Sequence, residues 1–162
     1  MVVNSKLRKT AHSIKRQNNH YNSTMPTVLI TGSRDWTNRE IIRSWIEKLK
    51  DWGYDTLIEG ECRGADIIAR EEAQAAGFKI LTREGEKIGY PAQWDRYRLG
   101  AGPIRNTEMI YAGNPTLVVG FHENIENSTG TLNMLKQADA CKIEIYLVDG
   151  QGVAKHLNGQ NL

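Results

Sequence analysis

Four short segments bring glycine, hydroxyl, amide and guanidinium groups together at spacings that suit a phosphorylated ligand. They are Thr31-Gly32-Ser33-Arg34, Glu59-Gly60-Glu61-Cys62-Arg63-Gly64-Ala65-Asp66, Ala101-Gly102-Pro103-Ile104-Arg105-Asn106 and Asn127-Ser128-Thr129-Gly130-Thr131. Gly32 has no Cβ, so a phosphate or ribose could approach the main chain there, with the Ser33 hydroxyl as a donor beside it. A plain turn glycine reads the same way, and only the recurrence of such groups in the other segments favours a ligand. Gly60 and Gly64 flank a turn into a helix whose first turn holds Asp66. That carboxylate either complements the positive helix end or accepts hydrogen bonds from ribose hydroxyls. Ser128, Thr129, Gly130 and Thr131 offer more hydroxyl and N–H groups than an N-cap needs, which favours phosphate binding.

Arg34, Arg63 and Arg105 fall in or beside these segments, and a guanidinium holds phosphate in a two-pronged grip. Solvation at the surface is the alternative for each. Arg105 stands out because it follows Gly102-Pro103 at a helix start with Asn106 beside it. Of the aromatic residues nearby (Trp36, Trp94, Tyr97), Trp94 is taken as the ring on which a base would stack, against the competing reading of core packing.

Something must bring these segments to one place, and the order of elements supplies it. Val28-Leu29-Ile30 is a short apolar run of the kind buried on both faces of a parallel sheet. Thr37 and Glu40 have capping-box spacing for a helix that places Ile41, Ile42, Trp45, Ile46 and Leu49 on one face and stops at Gly53. Strand Thr56–Ile58, a helix from about Ala65 to Gly77, and strand Phe78–Leu81 follow. After a longer loop come a helix over Ile104–Tyr111, strand Thr116–Val119, a helix over Leu132–Ala138 and strand Ile143–Val148. Strands alternating with helices imply right-handed crossovers and a Rossmann-like α/β fold, a doubly wound parallel sheet of about five strands. All four glycine-bearing segments then lie at or near the carboxyl edge, where such sheets bind ligands.

Composition limits the alternatives. The 162 residues fit one domain, and 40% hydrophobic with 25% charged residues is typical of a globular chain. Residues 1–24 are expected to be a disordered basic extension, holding Lys6, Arg8, Lys9, Lys15 and Arg16. Residues 25–150 are the expected domain and 151–162 a polar tail without pattern. The net charge of +2 is small, and most of the excess lies in the extension, so nucleic acid is disfavoured as a partner. No apolar run of membrane-spanning length and no signal-peptide core is visible, which excludes a membrane and makes a cytoplasmic location the expectation. Cys62 and Cys141 lack metal-ligand or disulfide spacing, and neither a metal nor a cofactor is implied.

Several of these residues together resemble the YspA-like branch of the SLOG superfamily, whose relatives include the LOG phosphoribohydrolases and the DNA-processing protein DprA. The parts are Thr31-Gly32-Ser33-Arg34-Asp35, Gly64-Ala65-Asp66 with Ala69, Trp94, the block Ala101 to Met109, and Gly130-Thr131, and the resemblance runs roughly from Thr27 to Val148. It implies a Rossmann-like sheet that binds a nucleotide or nucleotide-derived small molecule, as a sensor in some relatives and as a hydrolase of N-glycosidic bonds in others. Paired subunits follow by analogy alone. LOG enzymes have a glutamate soon after Gly-Thr, whereas this chain reads Leu132-Asn133-Met134. Cleavage of a glycosidic bond requires a carboxylate. An N-glycosidase here would have to draw it from Glu108, Glu61 or Glu123, with Arg105 steadying the phosphate. The favoured function is therefore binding, by sensing or sequestration, of a nucleotide-derived ligand. Glycosidase activity stands second and DprA-like single-strand binding third.

Overall fold

Val28, Leu29 and Ile30 are fully buried because β1 (Thr27–Gly32) lies between two parallel neighbours, β2 (Thr56–Ile58) and β4 (Leu117–Phe121). A computed structural model describes residues 26–157 and Leu162, so the extension expected over residues 1–24 lies outside the described residues. The remaining strands are β3 (Lys79–Ile80), β5 (Glu144–Val148) and β6 (Ala154–Leu157), in the order β3-β2-β1-β4-β5-β6. The first five are parallel, and β6 adds an antiparallel edge. The helices are α1 (Arg39–Asp51), α2 (Ala65–Ala75), the single turn α3 (Trp94–Tyr97), α4 (Ala101–Gly113) and α5 (Gly130–Ala140).

The strands explain their own apolar runs. Val28 and Ile30 face the cluster built by α1 and α2, with Leu57, Leu117, Val119, Phe121, Tyr146 and Val148. Leu29 faces the opposite way, with Ile58, Val118 and Ile145, onto Met109 and Ile110 of α4 and Met134 and Leu135 of α5. Alternation therefore feeds two cores, which only a sheet covered on both faces allows. Each such side chain contributes about 1.5–3 kcal/mol on burial. The Rossmann-like α/β fold is as expected from the sequence.

Several local details differ from the expectation. Asn38, not Thr37, caps α1, its Oδ1 accepting the Ile41 N–H at 3.3 Å. The α4 helix begins three residues earlier than expected, since Pro103 sits in its first turn, where a missing N–H costs nothing. The α3 turn falls where the sequence predicts loop. Strand β6 arises from the expected tail: Asp149 Oδ1 accepts the N–H groups of Gln151 and Val153 at 2.9 and 3.0 Å, and Gly152 takes a φ of +82°. That turn lays Ala154–Leu157 along β5 and covers the edge it would otherwise leave open.

The chain winds from β1 out to β3 and then returns to β4 on the other side of β1. The winding direction reverses between β1 and β4, and the connections that leave these two paired strands run to helices on opposite faces of the sheet, which opens a crevice above their carboxyl ends.

Candidate functional site

A cleft of about 860 Å³ occupies this crevice. Its floor is the end of β1, where Gly32 is paired with Phe121 of β4. A Cβ at Gly32 would run into the Phe121 carbonyl oxygen and come within 2.6 Å of the Ala65 Cβ, so the close packing of β1, β4 and α2 requires glycine at this point. The turn that follows is locked from both sides. The Ser33 N–H donates to the Phe121 carbonyl at 2.8 Å, the Ser33 carbonyl accepts the Ala65 N–H at 3.0 Å, and Ser33 Oγ accepts the Asp35 N–H at 3.0 Å. Gly64, with a φ of +81°, lies against this turn; a Cβ there would press on the Ser33 carbonyl and the Arg34 main chain.

Two walls rise from the floor. One is the start of α5. Ser128 Oγ accepts the Thr131 N–H at 3.0 Å, and Gly130 has open space where a Cβ would stand. Thr131 is buried, and Asn106 ties α4 to this wall, donating to the Gly130 carbonyl at 3.3 Å and to Asn133 Oδ1 at 3.1 Å. The other wall is the exposed pair Arg34 and Trp94, the guanidinium lying 5.8 Å from the ring centroid. Trp94 remains 46% exposed, enough to present a flat apolar face to the cleft it lines.

Arg105 is buried and lines the cleft from beneath. Its Nη1 donates to the carbonyls of Gly60 and Tyr90 at 2.5 and 3.4 Å, its Nε to Asn106 Oδ1 at 3.1 Å, and its Nη2 to Cys62 Sγ at 3.7 Å. Gly60 is needed because the guanidinium packs where its Cβ would be. Much of the Arg105 side chain thus fastens the β2 loop and the Tyr90 loop to α4.

Two carboxylates are buried beside it. Asp66 Oδ2 accepts the Cys62 N–H at 3.4 Å, while Oδ1 is buried without a partner among the described residues. Burial pushes the Asp66 carboxyl up to about 6, against the opposing pull of Arg105 and the loop N–H groups. Glu59, fully buried at the end of β2, gives Oε2 to the Glu61 N–H at 2.5 Å and leaves Oε1 without a partner among the described residues. Burial first, then Asp66 and Glu61, holds it well above the usual carboxylate range.

Of the residues singled out in the sequence, Gly32, Ser33, Arg34, Asp66, Trp94, Arg105, Asn106, Ser128, Thr129, Gly130 and Thr131 line one cleft. Gly60 and Gly64 lie behind its surface as packing positions. Glu108 is held by Arg83 at 2.6 Å and Glu61 by Arg70 at 2.9 Å; of the three candidate carboxylates only Glu123 lines the cleft. Arg63 does not line it and makes a loose, exposed pair with Asp35 at 3.7 Å. Sequence reading missed His122. Its Nδ1 accepts the Asn124 N–H at 3.0 Å, and burial holds the imidazole below its ordinary value. The signal was available: extending the fourth strand through Gly120-Phe121 puts His122 first in the loop at the switch point.

The fold and the cleft define a Rossmann-like α/β protein with a crevice at the reversal of its sheet. The chain belongs to the YspA, cpYpsA-related SLOG family, whose model matches residues 26–97. That segment carries Gly32 to Asp66 and Trp94 but ends before Arg105 and the Ser128–Thr131 wall. The Gene 61 protein of Mycobacterium phage D29 is 30% identical over 126 residues, spanning 75% of this chain and 94% of that protein. Among solved structures, DNA processing protein A from Streptococcus pneumoniae superposes with a TM-score of 0.59 at 19% identity, covering 78% of this chain and 51% of that one. The Moco carrier protein of Chlamydomonas reinhardtii gives 0.51 at 14% identity, with 80% of each chain covered. The chain spans about half of the DprA structure, and both likenesses are likenesses of fold. No helix among the described residues is long and apolar enough to cross a membrane.

Proposed function

We propose that this protein is a binding module for a phosphorylated nucleoside or a derivative of one, held in the cleft between β1 and β4. The observation that carries the reading is the convergence of two independently built phosphate-compatible turns, Gly32-Ser33-Arg34 and Ser128-Thr129-Gly130-Thr131, on one cleft walled by Arg34 and Trp94. The main-chain N–H groups at the start of α5 and its positive end suit phosphate oxygens. Arg34 adds a guanidinium and Trp94 a stacking face for the base. A volume of about 860 Å³ is that of a small-molecule pocket. The Moco carrier protein, whose name denotes a carrier, shares this fold and is in keeping with a binding role.

The test is to incubate the purified protein with nucleoside mono-, di- and triphosphates, ADP-ribose and cyclic nucleotides, ultrafilter, and quantify intact ligand and free base in both fractions. Intact ligand is expected to stay with the protein. Arg34→Ala combined with Trp94→Ala is expected to lower retention at least ~10-fold, the equivalent of about 1.4 kcal/mol, with the thermal midpoint recorded to show that the variant folds. No retention of any member of the panel, or release of free base over time, would overturn the reading.

A further inference from the structure

Asp66 combines three properties. It is only 5% exposed, it lines the cleft, and although the Gly60 N–H pulls on the carboxylate, its Oδ1 makes no hydrogen bond of good geometry among the described residues. A buried acceptor left unsatisfied costs roughly 1–3 kcal/mol, more for a charged one. Its neighbour has the complementary shortfall. Arg105 has five N–H donors, and its bonds to Asn106, Gly60, Tyr90 and Cys62 engage four of them. One N–H of Nη2 is left without an acceptor among the described residues. Cys62 joins the two, giving its N–H to Asp66 and its sulfur to Arg105, and the Arg105 charge acts directly on the Asp66 carboxyl.

An unsatisfied acceptor beside an unsatisfied donor selects its ligand. Phosphate fits poorly, since its oxygens only accept and would meet the Asp66 carboxylate. A group able to donate and accept at adjacent positions fits well, and a vicinal diol does both. We propose that the floor of the cleft is a diol subsite, in which Asp66 Oδ1 accepts from and Arg105 Nη2 donates to the two ring hydroxyls of a ribose, so that the protein selects ribonucleotides over deoxyribonucleotides. The inference rests on the nucleotide-binding reading above and narrows it. Phosphate goes to the start of α5, where Ser128 and Gly130 line the same cleft.

The experiment measures binding of the four ribonucleoside 5′-monophosphates and their 2′-deoxy counterparts to the full chain and to Asp66→Asn by calorimetry, with the thermal midpoint of each protein recorded. Wild type is expected to bind at least one ribonucleotide about 10-fold or more tightly than its deoxy form. In Asp66→Asn, whose amide keeps the shape of the carboxylate, the ratio is expected to fall to about 2-fold or less while the deoxy ligand binds as before. Equal affinities for ribo and deoxy forms in wild type, or a preference that survives Asp66→Asn, would overturn the diol subsite and leave nucleotide binding standing. Failure of all eight ligands to bind wild type would overturn both. The wild-type ratio is decisive by itself, whether or not Asp66→Asn folds well.

Discussion

At the scale of single residues, Arg105 shows how one side chain can carry two burdens. Sequence reading singled it out for phosphate, from Gly102-Pro103 before it and Asn106 after it. The structure places it at the cleft, but with most of its donors on the carbonyls of Gly60 and Tyr90 and on Asn106. Removing a buried guanidinium strands those acceptors and leaves Asp66 without its compensating charge. Arg105→Ala is therefore expected to destabilise the fold by about 3 kcal/mol in urea unfolding, and loss of ligand binding in that variant would not by itself identify a phosphate contact. An unchanged unfolding midpoint would contradict this. Asp66 carries a sign that can be checked. Its folded value of about 6 lies above the ordinary 3.8, so the folded state holds the proton more tightly than the unfolded one. Stability from this group is complete below the unfolded value and lost as pH rises through about 6. The stability of Asp66→Asn relative to wild type is expected to climb between pH 4 and 7, reaching on the order of 3 kcal/mol. A stability difference that does not vary with pH would show that the carboxylate is not desolvated. The site is thus expected to trade stability for binding, as functional sites commonly do.

At the scale of elements, legibility followed how local the signal was. Strand β2 was located to the residue, because Thr56-Leu57-Ile58 combines two β-branched side chains with an apolar centre between turn residues. The helix ends were less exact, since several residues compete for each cap. Thr37 with Glu40 looked like a capping box, yet Asn38 makes the bond to Ile41 at 3.3 Å. Asn38→Ala is expected to lower stability by about 1 kcal/mol and Thr37→Ala by much less; the reverse order in denaturant unfolding would reinstate the sequence reading. Strand β6 was overlooked because it is short and polar, and its place is set by pairing with β5 rather than by its own pattern. Its turn was legible all the same in Asp149-Gly150-Gln151-Gly152, an Asp followed by glycine at the position that needs a positive φ. Gly152→Val is expected to unsettle that turn, lower the thermal midpoint and expose the β5 edge to association; a monomeric protein of unchanged midpoint would contradict it.

At the scale of the whole molecule, the sheet order does the positioning. Loops that are separated by almost a hundred residues in the chain, Gly32-Ser33-Arg34 and Ser128-Thr129-Gly130-Thr131, meet because β1 and β4 are neighbours in register, Gly32 against Phe121. Alternation of strands and helices was enough to anticipate that meeting, since a doubly wound parallel sheet gathers its carboxyl-end loops on one edge. What it could not anticipate was which groups would be consumed internally. Glu108, Glu61, Gly60 and Gly64 are used in ion pairs and packing, and the orphaned Oδ1 of Asp66 is a product of three-dimensional burial that no spacing reveals.

On the proposed reading a nucleotide sits between the end of β1 and the start of α5. The most direct measurement is an amide correlation spectrum of the uniformly labelled full chain, titrated with a ribonucleoside 5′-monophosphate. The N–H signals of Gly32, Ser33, Gly130 and Thr131 are expected to move together and saturate at one affinity. Saturable binding that leaves those four signals in place, or shifts confined to the opposite edge of the sheet, would contradict it.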